Sequence, residues 1–213
     1  MTMQNKYELI TNYLDELYPN AFCELLFNKD YELLMAVVMS AQTTDKRVNS
    51  VTPLLFNKYK DLKALKEAKI EDIEEIIKPI GTFHKKAIFI KEIAKVLDEE
   101  YEGIVPNNRK ILETLPGVGR KTTNVVLSVL YNEPAIAVDT HVERVSKRLK
   151  IAKEEDNVLQ VEKKLMKFFP KERWIKTHHQ LIFYGRYHCK ATSPNCNDCK
   201  LREICKYKKN KRR

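Results

Sequence analysis

Glycine is scarce in this chain, with five residues among 213, and tryptophan occurs once. No apolar run is longer than "LLMAVVM", Leu33 to Met39, and seven residues are too few to span a bilayer. The N-terminal stretch "MTMQNKYELI" has no charged start followed by an apolar segment, so no signal peptide is expected. Apolar and polar residues almost never alternate at period two, which argues against a half-buried sheet. No internal repeat is visible. Membrane, secreted and repeat classes fall away, and the expected protein is soluble and intracellular. With 43% apolar residues it can still build a sizeable core.

What is present is helical pattern. Tyr7, Ile10, Leu14 and Leu17 recur at steps of three and four, as one buried stripe of a helix does. The same period runs through "DIEEIIKPIG", "KKAIFIKEIAKVL" and "NVLQVEKKLMKFF". The apolar stretch from Tyr31 to Ala41 fits a buried strand by pattern, but its length and its Leu, Met and Ala content favour a central helix. Pro79 and Gly81, Gly103 and Pro106, Pro134 and Pro170 mark the breaks. Pro53 falls inside a helical pattern from Thr44 to Phe56, which predicts a kink or a late start there. An all-α fold of about ten or eleven short helices follows.

The formal charge is +10, and six of the last eight residues, "KYKKNKRR" over 206–213, are basic. A solubilising terminus and a contact with nucleic acid both fit such a tail.

Two of the five glycines stand together in "LPGVGRKTTN", 115–124, between segments of helical pattern. Pro116 is expected to stop the first helix, and Gly117 and Gly119 to permit the positive φ of a tight turn. The next helix then starts near Arg120, where its first N–H groups lack intrahelical partners and the dipole is positive. With no side chain at either glycine, a phosphate can approach those N–H groups closely. A plain helix–helix turn is the alternative for a lone GxG. Lys121 adds chemistry: the helix dipole and Arg120 both disfavour an ammonium at this place, and a free amine is what a nucleophile must be.

Asp139 lies in "AIAVDTHVERV", where an apolar stretch delivers a carboxylate to the start of a helix. It is an N-cap candidate. Thr140 with Glu143 also fits a capping box, which would leave Asp139 free for chemistry. Both readings stand.

Four of the five cysteines fall in 17 residues, with spacing Cys189-x6-Cys196-x2-Cys199-x5-Cys205, while Cys23 is alone. In an intracellular protein this crowding points to metal ligation. Four thiolates suit tetrahedral zinc or a 4Fe–4S cluster. Only Cys196 and Cys199 have the short knuckle spacing usual for structural zinc, so the larger cluster is favoured.

Taken together, "LPGVGRKT", "VDTHVERV" and the cysteine loop resemble the helix-hairpin-helix DNA glycosylases that carry an iron–sulfur cluster. "MSAQTTDKRVN" and "HHQLIFYGRYHC" extend the resemblance along nearly the whole chain. It implies two helical domains with a DNA-binding cleft between them: a six-helix domain over 23–133 bearing the hairpin, and a discontinuous cluster domain of 1–22 with 134–213, ending in the basic tail. It implies that Lys121 and Asp139 are catalytic. Gln42 would fill the gap left by an extruded base, Gly117, Gly119, Arg120 and Lys190 would contact DNA, and Cys189, Cys196, Cys199 and Cys205 would hold a 4Fe–4S cluster. The implied activity is that of a bifunctional glycosylase and abasic-site lyase of base excision repair. Its substrate would be duplex DNA with an oxidised pyrimidine or an abasic site, met by a monomer in a prokaryotic cytoplasm. Adenine-specific mismatch glycosylases share hairpin and cluster but lack the lysine that Lys121 supplies, and a non-catalytic DNA-binding iron–sulfur protein would need neither Lys121 nor Asp139. One departure stands out: after "IG", where the resembling enzymes carry a wedge leucine, this chain has Thr82 and then Phe83.

Overall fold

The computed structural model describes residues 2–207, so the tail beyond Tyr207, with most of the basic run for which a solubilising role and a nucleic-acid contact both stood open, lies outside the described residues. Among the described residues the secondary structure is helical, without a strand. The chain divides into two compact units. One joins the residues up to Cys23 to those from Asn132 onward, and the other is Glu24–Tyr131.

Helix α1 (Met3–Leu17) belongs to the first unit and starts on Thr2, whose hydroxyl accepts from Asn5 N–H. The second unit contains α2 (Asp30–Met39), α3 (Asp45–Lys58), α4 (Leu62–Glu67), α5 (Ile70–Ile77), α6 (Phe83–Glu100), α7 (Arg109–Leu112) and α8 (Arg120–Tyr131). Its centre is α2, in which every residue from Tyr31 to Met39 is buried. The helix reading of that apolar run is the correct one: a helix hydrophobic all round must be enclosed on all sides, and α3, α6 and α8 pack around α2. Buried Glu32 is satisfied locally, its carboxylate accepting from the N–H groups of Asn28 and Lys29. Pro53 does not delay α3, which starts at Asp45 on the Thr44 cap and runs through the proline.

Back in the first unit, α9 (Thr140–Arg148), α10 (Val158–Phe168) and α11 (Trp174–Phe183) follow a buried segment outside any helix, Ala135 to Val138. Ile10 and Leu14 of α1, Val142 and Val145 of α9, Val161 and Leu165 of α10 and Leu181 of α11 form one core. α11 continues into a π-helical turn, Tyr184–His188, which ends at Cys189.

Candidate active site and cysteine loop

The hairpin is assembled from consecutive tight turns. α7 is capped by Asn108, whose side-chain oxygen accepts from Lys110 and Ile111 N–H. It ends at Leu112, earlier than Pro116 alone predicts, because Thr114 N–H bonds Ile111 O and Leu115 N–H bonds Leu112 O in the shorter three-residue step. Val118 N–H then reaches Leu115 O, and the Leu115 and Val118 side chains are buried as anchors of the turn.

The two glycines differ in a way their spacing does not reveal. Gly117 has φ +73°, and a Cβ there would lie 2.5 Å from Phe89 Cδ2. Gly119 is not among the positive-φ residues, and nothing lies within 4 Å of its would-be Cβ. The expectation that both glycines supply positive φ is corrected at Gly119. That residue directly precedes α8 and its carbonyl accepts the first helical bond, from Thr123 N–H, a position where ordinary negative φ suffices. Gly117 makes the turn; Gly119 leaves open space in front of the helix start. Arg120 and Lys121 are exposed on the first turn of α8. On the next turn buried Asn124 accepts from Arg109 Nη2 at 2.8 Å, tying α8 to α7.

Gln42 is exposed and has φ +55°, and so does exposed Thr82. Phe83 is half-buried, with its ring 4.0 Å from that of His84.

In the other unit, Asp139 is the N-cap of α9. Its Oδ1 accepts from His141 N–H and Val142 N–H, both at 2.8 Å. The capping box of Thr140 and Glu143 does not form. Thr140 is the first helical residue, and Glu143 pairs instead with Lys147 at 2.6 Å. The buried run Ala135–Val138 fixes the entry direction so that Asp139, with φ −103° and ψ −176°, has the extended backbone a cap requires.

Cys189, Cys196, Cys199 and Cys205 line one cavity together with Tyr184, His188 and Asn195. Among the described residues no three His, Cys, Asp or Glu side chains converge on the geometry of a single metal ion; the four thiols ring a space instead. Three of the sulfurs have polar neighbours. Arg148 Nη1 donates to Cys189 Sγ at 3.3 Å, the Tyr184 hydroxyl lies 3.0 Å from Cys199 Sγ, and Tyr207 N–H donates to Cys205 Sγ at 3.4 Å. Such contacts suit sulfurs that carry negative charge, so the donor set fits a four-thiolate cluster. Burial raises the thiols of Cys189 and Cys205, with Arg148 opposing the effect at Cys189.

What holds this loop is not legible in the sequence. Arg148 is buried and also donates to Lys190 O at 2.7 Å and Ala191 O at 3.2 Å, while Arg144 donates to Gly185 O at 2.6 Å and Cys189 O at 3.2 Å. Their i, i+4 spacing on α9 was legible as one helical face, but nothing local says that the face meets carbonyls. Lys190 itself is exposed beside the loop. Gly185 is required by close approach, since a Cβ there would lie 2.8 Å from His141 Cβ.

Residues 35–171 match the model of the HhH-GPD superfamily base excision DNA repair proteins. The chain is 51% identical to endonuclease III of Bacillus subtilis over 93% of its own length and 91% of that protein's. It is 43% identical to endonuclease III of Escherichia coli K12, covering 98% of each. Among solved structures it is similar to a trapped endonuclease III–DNA covalent intermediate, with a TM-score of 0.91 and 50% identity over 97% of this chain and 96% of that one.

Proposed function

Because the chain belongs to the HhH-GPD superfamily of base excision DNA repair proteins, we propose that it is a bifunctional DNA glycosylase and abasic-site lyase acting on oxidised pyrimidines in duplex DNA. The observation that carries the reading is the hairpin turn: Gly117 at φ +73° delivers an open helix start at Gly119 with Lys121 exposed on its first turn. A solved structure of a relative of half-identical sequence is a trapped covalent intermediate with DNA, which supports a nucleophile in the chain.

The helix start and Arg120 grip the DNA backbone by charge and by N–H donation, without reading sequence. The damaged base leaves the stack at a cost of a few kcal/mol, and Gln42 fills the gap. Lys121 Nζ attacks C1′ of the sugar; the C1′–N bond breaks and the base departs with a proton, leaving a closed-ring adduct in which Nζ has replaced the base. The C1′–O4′ bond then breaks as O4′ takes a proton, and the opened sugar is held by a Schiff base between Nζ and C1′. Loss of a C2′ proton then expels the 3′ phosphate by β-elimination. Asp139 supplies negative charge for the cationic sugar. Its Oδ2 takes part in neither capping bond, so one carboxylate can both start α9 and serve the reaction. Cys189, Cys196, Cys199 and Cys205 would hold a 4Fe–4S cluster. That group supplies a rigid anchor for the loop, on which Lys190 faces phosphate.

Borohydride trapping on abasic-site duplex tests the assignment. Wild type forms a permanent crosslink, and Lys121→Gln binds the duplex but gives neither crosslink nor strand cleavage. A crosslink that persists in Lys121→Gln and maps to another amine overturns it.

A further inference from the structure

Lys86 is the fourth residue of α6, yet it is only 3% exposed, whereas Lys85 beside it is exposed. Its ammonium donates to Ala41 O at 2.7 Å and to Thr43 Oγ1 at 3.0 Å, the residues on either side of Gln42. Its own backbone N–H donates to Thr82 O at 3.2 Å, closing the first turn of α6. The two turns it joins are packed together: a Cβ on Gly81 would stand 3.9 Å from Gln42 O and from Thr43 Oγ1.

Both turns hold a strained residue. Gln42 and Thr82 each have φ +55°, the left-handed region that crowds the Cβ of a side-chain-bearing residue against its own backbone. Such strain persists only where surroundings over-determine it. The ammonium is the over-determining group at Gln42, since it fixes the carbonyl before that residue and the hydroxyl after it. Ala41 lies just beyond the end of α2, where the helix dipole favours a cation. Burial lowers the affinity of Lys86 for its proton, and both acceptors are neutral. An apolar side chain would therefore serve the core at least as well. The charge is kept for geometry.

We infer that Lys86 is a positioning residue for lesion search, holding the Gln42 turn and the Thr82 turn as one rigid probe of the duplex. This rests on the role given above to Gln42. With Thr82 in place of a longer wedge, a fixed Gln42 carries more of the discrimination, and freeing its turn dilutes the competent conformation.

The test is a double-mutant cycle in steady-state kinetics, on duplex bearing one thymine glycol, with wild type, Gln42→Ala, Lys86→Met and the double variant. Lys86→Met keeps stem length and burial. It raises KM about tenfold, the population lost when one left-handed residue is released, and its kcat stays within about twofold with the melting temperature unchanged or higher. The double variant falls within about twofold of the worse single one, because both act through the same turn. Multiplying effects, or a wild-type KM in Lys86→Met, overturn the inference, as does full activity in Gln42→Ala. If Lys86→Met does not fold, Thr43→Val removes one acceptor at the rim and must show the same non-additivity with Gln42→Ala. A wild-type protein that neither cleaves this duplex nor forms the borohydride crosslink overturns the enzymatic reading itself.

Discussion

Alanine at Gly117 and alanine at Gly119 are the same change two residues apart, and the structure assigns them opposite consequences. At Gly117 alanine must hold φ +73°, at a cost of about 1–2 kcal/mol. Its Cβ also meets Phe89 Cδ2 at 2.5 Å, Cε2 at 3.0 Å and Cγ at 3.2 Å. Phe89 is only half-buried, so its ring yields, and overpacking of this kind costs about 1–3 kcal/mol. The sum, about 2–5 kcal/mol, is a large part of the stability of an ordinary domain. At Gly119 the would-be Cβ meets nothing within 4 Å and φ is ordinary, so alanine stabilises by about 0.4–1 kcal/mol through the unfolded chain. Binding runs the other way. A methyl group at Gly119 occupies the space through which phosphate approaches the helix start. Loss of a charge-assisted hydrogen bond there weakens affinity about 10- to 100-fold. Urea unfolding measures the first quantity, and fluorescence anisotropy on an abasic-analogue duplex at fixed salt measures the second. A Gly117→Ala protein as stable as wild type would refute the role of the turn, and unaltered DNA affinity in Gly119→Ala would refute phosphate approach at that point.

Asp139→Asn keeps a competent cap, so unfolding free energy stays within about 0.5 kcal/mol, while Asp139→Ala costs about 1 kcal/mol; both variants lose base release by orders of magnitude, and activity retained in Asp139→Asn would leave the residue a cap alone. Protein purified with its cluster carries about four irons per chain and is yellow-brown, and Cys199→Ala loses iron together with the ordered loop; colourless, active protein holding one zinc refutes the cluster. Burial lowers the pKa of His179 from 6.5 to about 4, and its Nε2 has no hydrogen-bond partner. The unfolded chain takes the proton near 6.5 and the folded one only near 4, so stability present above pH 6.5 falls by about 3 kcal/mol as pH drops through that window. Urea unfolding at pH 7 and pH 4.5 reads the loss, and His179→Met should flatten it.

The all-α fold was legible in one dimension, because helical periodicity is local: the stripe of Tyr7, Ile10 and Leu14 and the enclosed run of α2 need no distant information. The family was legible too, through motifs whose spacing is written along the chain. Local pattern could not decide between residues of equal propensity. Asp139 and Thr140 are both good caps, and the buried segment before them selected Asp139. Gly117 and Gly119 read alike until Phe89, 28 residues earlier than Gly117, is placed against one of them. Lys85 and Lys86 are adjacent lysines of one helix; one helical step of rotation exposes the first and turns the second beneath Gln42. Arg144 and Arg148 look like a solvated basic face and are occupied by carbonyls of a loop some forty residues away. In each case propensity fixes the element, while the neighbour that gives a side chain its role comes from distant parts of the sequence and exists only once the chain has packed.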